Sequence, residues 1–270
     1  TKTVALPFPA AQKSKLAAKV AKNAPKGPLK VLRIQPKGKA KTVGAVTVSF
    51  NQPMVPVASL SALKGLPVPL RLEPLSKGRW RWLGTRTVAS EPEGRLAYST
   101  EYKVIVPAGT KSALGAALEA AVEQRFTTPR PALVRAFPSR YGRQTRPDAV
   151  LALQFNQAVE LKSLLARLGV EPGSLRGQDF QVVPKERWAK LRDVGVAVAT
   201  WDPRRTVVLR PKRSLAKATS YRVSIAPGLR GEGPRTSRTT LRHHFRTYGP
   251  LKVDYLRCGT YRGCDPASGF

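Results

Sequence analysis

The sequence offers few side chains that could act together in catalysis or in metal binding. Its two histidines, His243 and His244, are adjacent, and adjacent side chains of a strand point to opposite faces of a sheet. A general base also needs a nucleophile and an orienting acid, and the 16 acidic residues show no such spacing. The motifs G-x-S-x-G and H-E-x-x-H and the phosphate-binding loop are all absent from the sequence. We therefore predict no catalytic, cofactor-binding or metal-binding residue.

Two cysteines, Cys258 and Cys264, lie close together near the end of the sequence. Their spacing can close a small disulfide loop in an oxidising compartment, or the pair can remain two thiols. A zinc site needs about four ligands, and no second pair of Cys or His residues lies nearby. We expect a disulfide if the protein comes from the cell envelope.

The positive charge of the sequence is large: 48 Lys and Arg stand against 16 acidic residues, which gives a net charge of +32. Such a charge attracts polyanions such as nucleic acid, anionic lipid or acidic partners. The cations are spread over the whole length, so they mark no binding site. A basic surface can also reflect the compartment of a protein or the acidic neighbours in a longer chain, and both interpretations remain open.

The strands that position these residues are predicted from a repeat. Phe50-Asn51-Gln52 returns as Phe155-Asn156-Gln157, and each copy ends an alternating apolar run. Alternation with a period of two predicts a strand with one buried face. Further matching strands follow in both copies, and we expect six aromatic side chains to anchor the two cores at equivalent positions: Phe50 and Phe155, Tyr102 and Tyr221, and Phe126 and Phe245.

The repeat divides the chain into two modules of all-β structure. We predict a basic flexible linker over residues 1–28, a first module over 29–129, a second module over 132–248, and the start of a third over 251–270. The second copy is longer in its middle, and we place the extra residues within 168–198, with a short helix at 184–191. No run of about 18 apolar residues occurs, so we predict no membrane-spanning segment. The sequence begins with Thr1 and no signal peptide, as expected for a mature or excised fragment.

Two tryptophans share one face of a predicted strand. Trp80 and Trp82 are two residues apart and alternate with Arg79 and Arg81. The four side chains could form a stacking platform for single-stranded nucleic acid. Such a pair packs more often in the core of a β-sandwich, and we expect the core position here.

The order of the strands resembles that of the bacterial Ig-like modules found in tandem in cell-envelope proteins. The shared pattern is a strand ending at Pro, the Phe-Asn-Gln strand, a Tyr-x-Val-x-Val strand and a closing Phe-x-Thr. The junctions at residues 126–131 and 245–251 are similar to the N-terminal region of bacterial alpha-2-macroglobulin-family proteins. The resemblance covers about residues 29–270 and implies two tandem Ig-like β-sandwiches plus the first strand of a truncated third.

The resemblance also implies a function. Members of this family are large periplasmic protease traps, so the chain is expected to be a non-enzymatic scaffold fragment from the periplasm or cell envelope. Its expected partners are neighbouring domains of a parent chain and, through that parent, proteases; no cofactor is expected. Many members carry a thioester in a Cys-Gly/Leu-Glu-Gln motif, but here Cys258 precedes Gly259-Thr260 and Glu123-Gln124 follows Val122. The alternatives are a basic polyanion-binding β-protein and a stand-alone surface adhesion module.

Overall fold

A computed structural model of the chain describes residues 27–41, 44–56, 66–139, 145–191, 198 and 200–250. These residues form two compact units, divided at Arg130, with the short segment Glu232–Arg235 grouped with the first unit. Almost all regular structure in both units is β-strand, which confirms the predicted fold class. Most of the predicted linker (1–28) and all of the predicted third module (251–270), with both cysteines, lie outside the described residues.

The first unit consists of two four-stranded sheets. Their orders are β1-β3-β6-β5 and β2-β8-β7-β4. Neighbouring strands are antiparallel except for β2 and β8, which are parallel. The strands are β1 (Val31–Gln35), β2 (Gly38–Lys39), β3 (Thr47–Phe50), β4 (Arg71–Glu73), β5 (Gly78–Trp82), β6 (Thr87–Pro92), β7 (Glu101–Val106) and β8 (Val122–Thr127).

The second unit also consists of two four-stranded sheets, with the orders β13-β14-β10-β9 and β12-β11-β15-β16. The described connections between its strands include the α-helix Leu161–Arg167 and the short 3-10 helices Gly177–Asp179, Lys185–Lys190 and Pro203–Arg205. The strands are β9 (Leu133–Phe137), β10 (Leu151–Phe155), β11 (Leu168–Glu171), β12 (Leu175–Arg176), β13 (Phe180–Val182), β14 (Thr206–Pro211), β15 (Ser220–Ile225) and β16 (Leu241–Arg246).

The two units repeat one topology. The order β1-β3-β6-β5 returns as β9-β10-β14-β13, and β4-β7-β8 returns as β11-β15-β16. The parallel contact of β2 with β8 has its counterpart in a single parallel bridge between Thr145 and Thr247. The sequence repeat is therefore a repeat of strand order as well, and β12 is the one strand of the second unit with no counterpart among the described strands of the first.

The core of the first module lies between its two sheets. On β3 the burial alternates as predicted, with Val48 and Phe50 buried. Trp82 is fully buried beside them, and half-buried Trp80 packs against the same cluster. Trp82 therefore lies in the core, where the sheets shield it from the solvent that a stacking platform would need to face, and Trp80 lies at the margin of that core.

The prediction of one buried face is wrong for β10, whose five residues are all buried. Leu151 and Leu153 face the core between the sheets, whereas Ala152 packs in a second cluster on the other side of the strand. Val183, Leu191 and Val198 of the connection between β13 and β14 pack with Ala152 on that outer side, where the first module has only the short connection 83–86. A strand with both faces covered has no polar side to alternate with. The strand β12 and the start of this connection lie within the predicted 168–198, and the predicted short helix is the 3-10 helix Lys185–Lys190.

Candidate functional site

The two histidines lie on opposite faces of β16. His243 is buried on the core side, and its Nε2 lies 2.6 Å from the carbonyl oxygen of Pro138. Because a carbonyl only accepts hydrogen bonds, this nitrogen is the protonated donor. His244 is half-buried on the outer face, opposite Arg222 of β15. The strand therefore separates the two imidazoles, and His243 holds the chain after β9 in place.

Two carboxylates in the described part of the chain have lowered pKa values. The pKa of Asp148 is held below its usual value, chiefly by hydrogen bonds from the guanidinium of Arg146 at 2.8 and 2.9 Å. The pKa of Asp202 is lowered chiefly by the backbone N–H of Arg204. A general acid at neutral pH needs a raised pKa instead. Within the described part of the chain, no three His, Cys, Asp or Glu side chains lie close enough to hold a metal ion.

The asparagine of the Phe-Asn-Gln repeat ties down the segment that enters each module. Asn51 Oδ1 accepts a hydrogen bond from the backbone N–H of Lys30 at 2.7 Å, and its Nδ2 donates to the carbonyl of Pro28 at 3.1 Å. Asn156 Oδ1 accepts from the N–H of Ala132 at 2.9 Å. The sequence predicted only that the strand leaves the sheet at this point. The side-chain function was missed because the bonded partner lies more than 20 residues earlier in both modules.

The following glutamine is buried in both copies. Gln52 Nε2 donates to the carbonyl of Gly27 at 2.8 Å, and its Oε1 accepts from the hydroxyl of Ser112 at 3.0 Å. Gln157 is fully buried at the equivalent place. A buried amide is stable only when its polar atoms are bonded. The glutamines therefore belong to the framework of the modules and not to a polar cleft.

The aromatic anchors pack identically in the two modules. Tyr102 stacks on Phe126 with ring centroids 5.4 Å apart, and Tyr221 stacks on Phe245 at the same distance. All four rings are buried. Phe50 and Phe155, at 1% and 0% exposure, occupy equivalent core positions between the sheets. The six residues selected from the sequence thus lie in two matching cores.

Each tyrosine hydroxyl forms a tyrosine corner, in which the phenol bonds back to the backbone just upstream. The N–H of Ala97 donates to Tyr102 Oη at 3.0 Å, and that of Ala216 donates to Tyr221 Oη at 2.8 Å. The connection between the sheets is thereby fixed to the strand that follows it. The Tyr in the shared sequence pattern pointed to a strand but did not indicate this bond.

A threonine hydroxyl completes the corner. Thr128 Oγ1 accepts from the N–H of Thr100 at 2.9 Å and donates to the carbonyl of Ala97 at 2.7 Å. Thr247 Oγ1 likewise accepts from the N–H of Thr219 at 3.0 Å. These polar groups all bond to the backbone of their own module, so the repeated motif stabilises the fold and leaves no reactive group exposed.

The outer face of the sheet that contains β7 and β8 is nearly balanced in charge. Lys103 Nζ lies 2.7 Å from a carboxylate oxygen of Glu123, and Arg125 lies 3.6 Å from Glu101. Glu73 of β4 lies opposite Lys103. Lys103 and Arg125 of this face therefore have carboxylates beside them.

The equivalent face of the second module is cationic. Arg222, His244, Arg242 and Arg246 occupy outward positions of β15 and β16. Among the outward positions of the four strands of this sheet, all of them described, Glu171 is the one carboxylate, 3.8 Å from Arg222. The register explains the contrast, because Ser220 and Arg242 stand where the first module has Glu101 and Glu123.

No helix in the described residues is long and apolar enough to span a membrane.

Comparisons with known proteins agree with this architecture. Residues 25–128 match the family model described as bacterial Ig-like domain, and this match spans the first module. The chain is also 26% identical over 242 residues to the alpha-2-macroglobulin homolog of Nostoc sp.. That alignment covers 84% of this chain but only 12% of the relative. Both parts of the resemblance drawn from the sequence are thus confirmed.

Solved structures with local similarity include three bacterial proteins. A structure of native alpha-2-macroglobulin from Escherichia coli that spans domains MG0-NIE-MG1 is 14% identical and covers 88% of this chain and 77% of its own, with a TM-score of 0.31. Salmonella alpha-2-macroglobulin reacted with methylamine is 14% identical over 76% of this chain and 13% of its own, with a TM-score of 0.34. An L,D-transpeptidase from Mycobacterium tuberculosis is 16% identical over 47% and 48%, with a TM-score of 0.27. Superpositions at these scores support no conclusion about function.

Proposed function

We propose that this chain is a non-catalytic scaffold within a bacterial cell-envelope protease inhibitor of alpha-2-macroglobulin type. The observation that carries the proposal is the similarity to the Nostoc alpha-2-macroglobulin homolog, which extends over 84% of the chain and so includes parts of both modules. In this function the modules support and space the neighbouring domains of a longer polypeptide. Proteases are then partners of that polypeptide rather than of these two modules.

The bonding pattern of the modules supports a framework function. The side chains that form the repeated hydrogen bonds all bond to the backbone of their own module. They are those of Asn51, Asn156, Tyr102 and Tyr221. His243 is bonded to a backbone carbonyl in the same way. Nucleophilic catalysis needs a nucleophile and a base within hydrogen-bond reach of each other. His243 and His244 lie on opposite faces of β16, so the two imidazoles do not face one common site.

Fractionation of the native cells tests this proposal. An antiserum raised against the chain is used to probe blots of cytosolic, periplasmic and envelope fractions, before and after trypsin is added to the intact fractions. We expect a polypeptide much larger than this chain in the periplasmic or envelope fraction, with a slower, covalently linked band after trypsin. A polypeptide of the size of this chain in the cytosol would contradict the proposal.

Binding of a polyanion is the second candidate function. The observation that favours it is the cationic outer face of β15 and β16, where Arg222, Arg242 and Arg246 have a single carboxylate near them. Arg176 adds to this face, because its Nη1 lies close to where a Cβ of Gly169 would be, beside Ser224. Because Gly169 and Ser224 are small, they leave the guanidinium groups of this face accessible to a flat anionic partner.

The two modules supply a charge-matched test of this candidate. The variant Arg222→Gln/Arg242→Gln/Arg246→Gln removes three positive charges from the second module. A control variant removes three positive charges from the first module. Each phosphate contact contributes about 0.9 to the slope of log Kobs against log salt for duplex DNA. We expect the slope, measured by anisotropy with a labelled duplex, to fall by about 3 in the first variant.

The control variant is Arg71→Gln/Lys103→Gln/Arg125→Gln on the outer face of β4, β7 and β8. It changes the net charge by the same amount but leaves the face of β15 and β16 intact. Its slope should stay close to that of the unmodified chain. Equal losses in the two variants would show that the attraction belongs to the overall charge and not to the face of the second module.

A further inference from the structure

An apolar groove of about 340 Å³ opens in the first module between its edge strands β4 and β5. It continues under the connection 74–77, and its apolar lining is formed by Leu70, Leu72, Leu75, Trp80, Pro92 and Leu96. Leu75 is 94% exposed at the mouth. A single exposed leucine is ordinary, but one that adjoins an open apolar groove marks a surface that a partner can cover.

The second module closes the equivalent place with its own side chain. Phe180 faces Pro211 across β13 and β14, and Gly78 faces Pro92 in the same way across β5 and β6. The ring of Phe180 is buried, and only about 10 Å³ remains between Phe180, Pro211, Val170 and Leu215. The groove of the first module is therefore the space that an aromatic ring fills in the second.

The first module cannot fill this space from the same position. Gly78 has a φ of +139°, a conformation that side chains with a Cβ rarely adopt. A Cβ built there would collide with the backbone of Glu91 and Pro92. The backbone at this point is shaped for the absence of a side chain, and the ring has to come from elsewhere.

The edge of the neighbouring sheet also carries one strand more in the second module than among the described strands of the first. In the second module β12 pairs with β11, with Arg176 opposite Gly169 and Leu175 opposite Val170. The counterpart of β11 in the first module, β4, pairs only with β7 among the described strands. The unit β12-turn-Phe180, which completes the second module, thus has no counterpart in the described residues of the first.

We propose that this groove binds an extended segment of an acidic partner protein, which pairs at Arg71 and Leu72 with the edge of β4 that no described strand occupies and inserts an aromatic side chain beside Gly78. This is strand addition with one pocket for side-chain specificity. The chain carries a net charge of +32, so an acidic partner is attracted to it. At the rim the exposed Arg71 and Lys77 form no ion pair within the described residues, although Glu73 also lines the groove. The second carboxylate of the rim, Glu91, is paired with Arg79 and Arg81.

Charge and shape disfavour the other occupants. A second copy of the chain carries the same net charge of +32 and is repelled. The segment of a second copy that contains Leu175 and Phe180 is also not available to fill the groove, because both side chains pack against the core of their own module. A nucleic acid is attracted by the charge but does not fill an apolar groove lined by leucines, tryptophan and proline.

A synthetic peptide with the sequence of residues 172–183 and the change Arg176→Glu is the probe. It contains the strand and the ring that close the second module, and the change makes it acidic, because Arg176 would otherwise cancel the charge of Asp179. It is titrated into the intact chain, and the methyl resonances of Leu72, Leu75 and Leu96 are followed by NMR. The methyl groups of Val170 and Leu215 are the built-in control, since their groove is already filled. A second peptide replaces its phenylalanine by alanine.

We expect saturable shifts at Leu72, Leu75 and Leu96, unchanged resonances at Val170 and Leu215, and binding weakened at least about tenfold by the alanine peptide, as for an anchor residue. The variant Leu75→Ser should weaken binding as well. Absence of shifts up to millimolar peptide, equal shifts in both modules, or equal binding of the two peptides would overturn the proposal. Shifts that appear without peptide as the protein concentration rises would assign the groove to a second copy and overturn it too.

Discussion

Replacing Thr128 by Val tests whether the corner motif stabilises the modules through its hydroxyl. Valine has nearly the same shape, so the packing around the side chain is retained. The change removes the acceptor of the Thr100 N–H and the donor to the Ala97 carbonyl, at 2.9 and 2.7 Å. Ala97 is exposed, so water can replace the bond to its carbonyl. Thr100 is buried, and its N–H is left without a partner.

The magnitude follows from this difference in exposure. A buried N–H that loses its acceptor costs about 1–3 kcal/mol, and we expect about 2 kcal/mol for Thr128→Val. At the equivalent place in the second module, Thr219 is half-buried, so water reaches its N–H. We therefore expect a smaller loss, about 1 kcal/mol, for Thr247→Val. Both values are large against the total stability of about 5–15 kcal/mol of a typical domain.

Hydrogen–deuterium exchange at increasing urea concentration is a suitable assay, because peptides from each module report on that module alone. Thr127→Val is the matched control: Thr127 is half-buried, adjacent to Thr128, and its side chain has no hydrogen bond within the described residues. If Thr128→Val unfolds at the same urea concentration as Thr127→Val, the hydroxyl has no net stabilising effect and the reasoning fails. A loss in the module that was not mutated would refute it as well.

Three further results are expected. Phe50→Ala and Phe155→Ala should each lower the free energy of unfolding by about 3–5 kcal/mol in denaturant titrations, and a change below 1 kcal/mol in either would contradict its core position. If Cys258 and Cys264 are disulfide-bonded, reduction should raise the mass by two hydrogens, whereas two free thiols in protein from its native compartment would argue against an envelope location. In an NMR pH titration the Asp148 carboxylate should have a pKa below that of free aspartate, because the guanidinium beside it favours the ionised form; the stabilisation is present above the ordinary pKa and is lost as the pH falls through the lowered one.

Local patterns in the sequence were sufficient to predict the repeat and its anchors. Period-two alternation led to β3, and the paired Tyr and Phe positions led to β7, β8, β15 and β16. The positions of Tyr102 and Tyr221 relative to Phe126 and Phe245 are the same in both copies, and the structure stacks each pair at 5.4 Å. These features depend on residues close together in one strand or in two adjacent strands, which a sequence pattern can represent.

Features that depend on distant segments were not predictable. The second buried face of β10 requires Val183, Leu191 and Val198, whose packing against Ala152 no local pattern indicates. The bonds of Asn51 and Gln52 require knowledge of where the chain enters the module. The cationic face needs the register of β15 against β16, which brings Arg222 next to His244 and Ser224 next to Arg242.

The contrast between Gly78, which leaves a groove open, and Phe180, which fills one, was likewise not predictable from the sequence. In the sequence these two residues stand in segments of different length, and nothing aligns them without the strand pairs Gly78–Pro92 and Phe180–Pro211. Once the registers are known, one position explains why the first module has an open groove and the second does not. Because the fold is duplicated, the second module serves as a reference for the first.

Incubation with proteases is the most direct test of the proposal that this chain is a non-catalytic scaffold. The isolated chain is mixed with a panel of serine, cysteine and metalloproteases and analysed on a denaturing gel with and without reductant. We expect no adduct and no inhibition, since His243 and His244 lie on opposite faces of β16 and neither cysteine has a glutamine within five residues in the sequence. A protease-dependent adduct that survives the reductant would contradict the scaffold function.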